Sequence, residues 1–256
     1  MRAELKSSLK RLLWLGGLLL LAGLAVSAVQ YRRSSHIREL EATIEPLADG
    51  SLMVTPGDIR EAIDRGFGFS MEGLPLRDVD VARIEKVLEK DPLILDAEVF
   101  VDARNILRVQ VEQRPPLLRV QDQNGLNYYL DGQGIKMPLS KHSSVRVLAA
   151  NGYIPPYVPD FLERKRHRIK DLFLLAKDIS ADPFLLPLIE QIYVNNKGEF
   201  VLAPMLGDHI ILFGYYKDAE EKLRKLKIFY KEVLPYEGWR KYDTIDIRFR
   251  GQVIGR

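Results

Sequence analysis

Histidine is the residue type best suited to metal binding and to proton transfer near neutral pH. This chain of 256 residues contains four histidines, and none has the helical spacing of a zinc-binding HExxH motif. They are His36, His142, His167 and His209. We therefore expect solvated or structural histidines and predict no metal site. Cysteine is absent, which excludes disulfides, thiol nucleophiles and cysteine-bound metals.

Glycine and serine motifs that could bind a nucleotide or carry a nucleophile are incomplete. Gly66-Phe67-Gly68 is a GxG without the third glycine of a dinucleotide loop, and it follows a predicted helix where that loop requires a strand. The segment Gly68–Gly73 misses the spacing of a nucleophile elbow by one residue and lacks the strand–turn–helix context. Ser7-Ser8-Leu9-Lys10 fits S-x-x-K but stands beside an apolar segment. We predict neither catalytic nor cofactor-binding residues, and no cofactor.

Carboxylates are the remaining side chains that could do chemistry, and the chain has 35 of them. Spacing alone does not show that any two converge, so solvated surface charge is the favoured interpretation. The prediction is a protein that is not an enzyme. An exported enzyme that uses a pair of these carboxylates is the rival class.

A basic run, Arg164–Lys170, is the strongest local charge feature outside the N-terminus. Such a run attracts anionic lipid or an acidic protein partner. No aromatic residue interleaves it, which argues against nucleic acid. The alternative is the exposed start of a helix, and the sequence leaves lipid, protein and plain surface open.

Leu12–Val29 is an apolar segment of 18 residues without a charge. As a helix it would reach about 27 Å, close to the thickness of a hydrocarbon core. The excess positive charge of the chain brackets this segment, because residues 1–33 hold six basic and one acidic side chain. This pattern predicts a cytoplasmic tail over 1–11 and a transmembrane helix over 12–30, with the remainder exported. A cleaved signal peptide ending at Val26-Ser27-Ala28 is the alternative.

The first exported part reads as strand, helix, helix, strand, strand. Leu40–Ile44 is the first strand, and Thr55 caps a helix that has Pro56 at its first position and Asp58 to complete a capping box. A second helix begins near Asp78 or Asp80. Ala97–Val101 and Ile106–Val111 then alternate around a turn and predict a hairpin. The prediction is a small α+β domain over 37–113, with two helices on one face of a three-stranded sheet.

Paired prolines at Pro115-Pro116 mark the boundary to a second domain over 114–256. We predict a mainly antiparallel sheet there, with helices at Ile169–Ile179 and Ala219–Leu234. The second helix carries Glu221 and Lys225 as a spaced ion pair on its wet face. The predicted strands include Tyr128–Leu130, Ile189–Val194, Phe200–Ala203, Ile210–Phe213 and Thr244–Phe249.

Four segments in this order resemble the bacterial FtsQ/DivIB cell-division family. The first is a hairpin that runs from Tyr128 to Ser140 and reads YYLDGQGIKMPLS. The second, Gly207–Gly214, reads GDHIILFG, and the third, Lys222–Tyr230, reads KLRKLKIFY. The last is the terminal KYDTIDIRFRGQV, Lys241–Val253. The βααββ unit also resembles a POTRA domain, a module that contacts protein partners partly through sheet edges.

The resemblance implies a non-enzymatic scaffold of the inner membrane with an uncleaved anchor. It implies binding to the division proteins FtsB and FtsL, which would help to localise and regulate septal cell-wall synthesis. No nucleic acid and no small-molecule substrate is expected. A POTRA-type factor that transports or chaperones exported polypeptides is the alternative function.

The C-terminal strand is the predicted partner surface. A terminal strand has no later strand to cover it, so its edge invites the addition of a partner strand. The resemblance implies that FtsB supplies this strand, whereas the alternative is that these side chains complete the core. Alternation predicts that Ile245 faces the core together with Ile247. The candidate partner-binding residues are Ile247, Phe249, Gly251, Gln252, Val253 and Ile254. If they are not the surface, the edge near Ile106–Val111 is the next candidate.

Overall fold

The computed structural model describes Trp14, residues 16–24 and residues 35–256. Residues 16–24 are helical. Within this described part of the chain, no helix is both long enough and apolar enough to span a bilayer. The predicted tail over 1–11 lies outside the described residues, as do Leu12, Leu13, Leu15 and residues 25–30 of the predicted transmembrane helix.

The described chain divides into two compact units, of which the first runs up to Glu45 and includes Thr55–Asp91 and Asp96–Glu112. Its elements follow the predicted order of strand, helix, helix, strand, strand. They are β1 (Glu39–Glu45), α1 (Pro56–Phe67), a 3₁₀ turn (Leu76–Asp78), α2 (Val81–Leu88), β2 (Ile94–Val101) and β3 (Ile106–Gln113). The sheet order is β1-β3-β2, with β1 parallel to β3. The prediction of an edge at Ile106–Val111 is therefore wrong, because β3 is the central strand.

The predicted capping box of α1 is confirmed. The Thr55 hydroxyl accepts from the Asp58 N–H at 3.3 Å, and the Asp58 carboxylate accepts from the Thr55 N–H at 2.7 Å. Helix α1 continues through Gly66 and ends at Phe67, with Gly68 in a left-handed conformation after it. Gly66 faces α2, since a Cβ on it would stand 2.6 Å from a Val87 methyl carbon. A residue without a side chain thus lets the two helices approach.

Both helices bury one apolar face beneath the sheet. Ile59 and Ile63 of α1 are buried, as are Ile84 and Leu88 of α2. On β3, buried residues alternate with accessible ones, and Leu107, Val109 and Val111 point inward. The spacing of three to four residues between the buried side chains of each helix, and the two-residue alternation on β3, together produce the predicted α+β arrangement of this unit.

The second unit contains Gln113–Arg256 together with Pro46–Val54 and Pro92–Leu95. Its sheet has nine strands in the order β12-β11-β10-β9-β8-β7-β4-β5-β6. The strands are β4 (Pro116–Gln121), β5 (Asn127–Asp131), β6 (Lys136–Met137), β7 (Leu148–Gly152), β8 (Ile189–Val194), β9 (Phe200–Pro204), β10 (Ile210–Gly214), β11 (Thr244–Asp246) and β12 (Ile254–Gly255). Its helices are α3 (Arg168–Ala181), α4 (Ala219–Ile228), a π-helical turn (Phe229–Val233) and α5 (Leu234–Glu237).

This sheet is mixed, which refines the prediction of a mainly antiparallel one. Five of its eight ladders are antiparallel, and the pairs β4–β7, β7–β8 and β10–β11 are parallel. Two of the parallel pairs are joined through helices, since α3 connects β7 to β8 and α4 with α5 connects β10 to β11. A parallel neighbour requires such a crossover, because a short turn cannot return the chain to the same end of the sheet.

Aspartate and asparagine close the tight turns of this sheet. The Asp131 carboxylate accepts from the N–H groups of Gln133 and Ile135, at 2.9 and 2.8 Å, within the predicted hairpin turn. Asn195 makes the same two bonds to Lys197 and Glu199. The sequence signals at these turns therefore led to the correct hairpins.

Candidate partner-binding edge

The predicted C-terminal edge strand is covered by a later strand. β11 pairs with β10 in parallel on one side and with β12 antiparallel on the other. The prediction that no later strand covers Thr244–Phe249 is therefore wrong, and the edge of the sheet belongs to β12. Ile245 and Ile247 are fully buried, as alternation predicts.

β11 is also shorter than predicted: it ends at Asp246 and does not continue to Phe249. The chain leaves the sheet where the Lys225 ammonium of α4 donates to three carbonyl oxygens. Those of Ile247 and Gln252 lie 3.4 and 3.3 Å from Nζ, and that of Phe249 is the third acceptor. These carbonyls are directed to one cation, so residues 247–252 form a turn that returns the chain as β12.

Lys225 was predicted on the wet face of its helix, and that prediction is wrong. Only 8% of the residue is exposed. Its Nζ lies 3.9 Å from the Glu221 carboxylate, which also accepts from the Gly251 N–H at 3.2 Å. Two residues one helical turn apart therefore hold the turn through its backbone groups.

An ion pair fixes the start of the turn. The Asp246 carboxylate, 2% exposed, accepts from the Arg248 side chain at 2.9 and 2.7 Å and from its N–H at 3.1 Å. Burial raises the pKa of Asp246, but the hydrogen bonds and charge of Arg248 outweigh it and leave that pKa below its usual value. The bond to Asp246 raises the pKa of the Arg248 guanidinium.

The backbone of Gly255 points away from the sheet. Thr244 and Arg256 exchange both backbone hydrogen bonds, at 3.1 and 2.9 Å. In an antiparallel ladder such pairs alternate with pairs that are not hydrogen-bonded, and the next pair is Ile245 with Gly255. The N–H and C=O of Gly255 therefore face outward, where a further strand would bind.

The six predicted partner-binding residues lie close together, but they differ in exposure. Phe249, Gly251 and Gln252 are exposed, and 44% of Phe249 is accessible. Val253 and Ile254 are half-buried, and Val253 packs against the main core. Ile247 is fully buried, so it supports the edge from within and is not available on the surface.

Sequence reasoning missed three residues that shape this edge: Lys225, Tyr242 and Gly255. A lysine directly beside the apolar stripe of α4 was the available signal for the first of them. Tyr242 packs its ring against Gly255 and against Phe229, with the two ring centroids 5.7 Å apart. No local pattern indicates that contact.

Two of the histidines, His167 and His209, belong to the second unit and have buried or half-buried side chains. His209 is 2% exposed, and its Nε2 is hydrogen-bonded to the Tyr230 hydroxyl. Burial lowers the pKa of His209, and the charge of Asp208 only partly opposes this. His167 precedes α3, and its pKa is also lowered by burial. Within the described residues, no group of three or more histidine, aspartate or glutamate side chains is arranged to hold a metal ion.

The basic run lies in an exposed turn before α3 and in the first turn of that helix. Arg164 pairs with Asp160 at 3.0 Å, and the guanidinium carbon of Arg168 stands 5.5 Å from the centre of the Tyr215 ring. The start of a helix, which was one of the predicted alternatives, accounts for the position of the run.

Comparison with known proteins covers most of the second unit. A family model described as "FtsQ/DivIB, C-terminal related" matches residues 115–256, which is more than half of the chain. The chain belongs to the FtsQ/DivIB family. It is also 27% identical over 216 residues to a protein of Rhodothermus marinus named "Cell division protein FtsQ", an alignment that covers 81% of this chain and 74% of that relative. The family match includes β11, the turn over residues 247–252 that Lys225 binds, and β12.

Proposed function

We propose that this FtsQ/DivIB-family chain is a non-enzymatic scaffold of the bacterial cell-division machinery. Leu12–Val29 anchors it in the inner membrane, with the N-terminus in the cytoplasm. A POTRA-like domain over 37–113 and an FtsQ-type β domain over 114–256 stand in the periplasm at the division site. The family match and the relative's name support the division role, and the uncharged segment supports the anchor.

In this proposal the β12 edge binds an FtsB-type partner that is associated with an FtsL-type protein, and the complex helps to localise and regulate septal cell-wall synthesis. The outward N–H and C=O of Gly255 carry the proposal, because they are the groups that an added strand pairs with. Phe249, Gly251 and Gln252 are exposed beside this edge. Their side chains and backbone would give the specificity that strand pairing lacks.

The other sheet edges offer less to a partner strand. On β1, the C=O of Leu40 accepts from the Arg60 guanidinium at 2.9 Å, and Arg60 also pairs with the Glu72 carboxylate. On β2, the Val99 N–H donates to the Glu85 carboxylate at 3.0 Å. β6 has the same length as β12, but a proline, which has no N–H to pair, follows it directly. Edges whose backbone groups are occupied or interrupted by proline resist strand addition, and this favours β12.

A cysteine crosslink tests the edge directly, because the chain has no cysteine of its own. A Gln252→Cys variant of the full chain in detergent should form a disulfide with single-cysteine variants of the FtsB-type partner from the same organism. Tyr236→Cys, at a residue that is 84% exposed, is the matched control and should not crosslink. Equal crosslinking of both variants, or of neither, would reject the edge as the binding site.

Localisation and mass test the remaining parts of the proposal. A fluorescent fusion should concentrate at midcell, and the mature protein should retain residues 1–28. The βααββ unit keeps a POTRA-type transport factor as the second candidate. That candidate predicts no midcell focus and an enrichment of outer-membrane proteins in pull-downs.

An assay of the purified protein on peptidoglycan and its peptides tests the enzyme alternative. Turnover that is lost on substitution of a single carboxylate would support an enzyme.

A further inference from the structure

A buried lysine holds the turn that precedes the β12 edge. The ammonium of Lys225 has three N–H donors, and it has three carbonyl acceptors within reach, those of Ile247, Phe249 and Gln252. All three acceptors are backbone atoms of the turn. Burying an ammonium is costly unless its donors are satisfied, so the turn and the lysine stabilise each other.

The same contacts determine where β11 ends. The Ile247 N–H still donates to the Leu212 carbonyl of β10, at 3.1 Å. Its carbonyl instead accepts from the Lys225 ammonium, and the carbonyls of Phe249 and Gln252 do the same. Gly251, whose φ is +69°, donates its N–H to the Glu221 carboxylate. Four backbone groups between Ile247 and Gln252 are thus bound by one face of α4, and the residues that follow pair with β11.

We infer that Lys225, assisted by Glu221, is a positioning residue that preorders residues 247–253 and so presents the β12 edge to a partner strand. The inference deepens the proposed function and rests on it for its consequence in binding. A partner that meets a preordered edge does not have to order those residues itself, and the cost of ordering flexible segments weakens association.

Lys222 provides a matched control on the same helix. It is also 8% exposed, and its ammonium donates at 2.9 Å to the carbonyl of Tyr215, outside the C-terminal turn. Lys222→Met and Lys225→Met therefore remove the same charge from equally buried positions one helical turn apart. Only the second substitution removes bonds to residues 247–252.

Hydrogen exchange of the full chain in detergent measures the preordering without any partner. In Lys225→Met, the amides of residues 247–256 should exchange at least tenfold faster than in the parent, while those of β8 and β9 keep their rates. In Lys222→Met, residues 247–256 should keep their protection. Equal exchange of this segment in the two variants, or an acceleration spread over the whole sheet, would overturn the inference.

Glu221→Ala covers the case in which Lys225→Met does not fold. Glu221 is partly exposed, and the substitution removes the acceptor of the Gly251 N–H. A faster exchange of roughly threefold, confined to residues 251–256, is expected, and unchanged exchange would count against the inference.

Binding of the FtsB-type partner to the same variants separates the two proposals. If exchange accelerates as expected and affinity falls at least tenfold in Lys225→Met but not in Lys222→Met, both proposals stand. If exchange accelerates and affinity is unchanged, Lys225 still orders residues 247–253 in the free protein. In that case the ordering does not contribute to binding, and the β12 edge is rejected as the partner site. If exchange does not change, the positioning role fails whatever the affinity.

Discussion

The ring of Tyr242 lies against Gly255 so closely that a Cβ on that glycine would stand 2.5 Å from the ring carbon Cδ1. No real Cβ tolerates this contact, so β12 can lie beside β11 only if residue 255 is glycine or the ring moves. The glycine therefore allows the ring of Tyr242 to pack closely against β12, while its N–H and C=O point away from β11.

Gly255→Ala should displace the Tyr242 ring or β12. Overpacking of this kind costs about 1–3 kcal/mol of unfolding free energy, which denaturant unfolding would measure. Gly132→Ala is the control, because a Cβ there meets no atom within 4 Å and the backbone is not left-handed. Tyr242→Leu combined with Gly255→Ala should recover part of the loss. A loss that is as large for Gly132→Ala would contradict the steric explanation.

Phe249→Asp should separate binding from folding. Phe249 is 44% exposed, so the substitution should change the unfolding free energy by less than about 0.5 kcal/mol. Affinity for the FtsB-type partner should fall at least tenfold, or about 1.4 kcal/mol, in titration calorimetry. Tyr236→Asp, at another exposed aromatic residue, should leave the affinity unchanged. Unaltered binding by a folded Phe249→Asp variant would remove Phe249 from the partner surface.

Thr55→Ala should weaken the first compact unit alone. It deletes the hydroxyl that accepts from the Asp58 N–H, and loss of such a cap costs about 1 kcal/mol. Hydrogen exchange should show faster opening of α1, with the amides of β8 and β9 unchanged. In a double-mutant cycle with Asp58→Ala the two effects should not add, since the side chains form one capping box. Additive effects would mean that the two groups act independently.

Stability should decline as the pH falls from about 6.5 toward 5. Burial lowers the pKa of His209 below its ordinary value of 6.5 in the folded protein. The unfolded chain therefore binds the proton first, and the contribution of neutral His209 is complete above pH 6.5 and is lost below it. For one group the slope cannot exceed about 1.4 kcal/mol per pH unit.

Chemical denaturation at several pH values would test this assignment. His209→Gln should flatten the profile between pH 6.5 and 5. The pKa of Asp246 is lowered, so its contribution should disappear only at more acidic pH, as the carboxylate protonates. An unchanged profile in His209→Gln would assign the pH dependence to other groups, such as His167.

Removal of the side chains that occupy the edges of β1 and β2 should promote self-association. Arg60→Ala combined with Glu85→Ala frees the C=O of Leu40 and the N–H of Val99 on opposite edges of the three-stranded sheet. Unpaired edges associate, so light scattering on mild heating should rise at a several-fold lower protein concentration. Glu61→Ala is the control, because Glu61 pairs only with Arg65 on the exposed face of α1. Scattering that matches this control would show that the edges need no such protection.

The sequence by itself determined the features that depend on nearby residues. Thr55 and Asp58 specify the start of α1, and Asp131 and Asn195 specify their hairpin turns, because each bonds to backbone only two to four residues away. The buried face of α3 was also predictable from nearby residues, because apolar side chains three and four positions apart lie on the same side of a helix. The family resemblance was likewise available from short motifs, and the match over residues 115–256 confirms it.

Only the tertiary structure decided which strands are neighbours and which edge is open. The parallel pairing of β1 with β3 made Ile106–Val111 central, and no local pattern encodes the order of strands. The clean alternation of Thr244–Phe249 predicted a longer strand, but the Lys225 ammonium, from another element, binds its carbonyls and ends β11 at Asp246. Hydrogen bonds between residues more than 20 positions apart compete with local propensity there, and their geometry exists only once α4 has packed against the sheet.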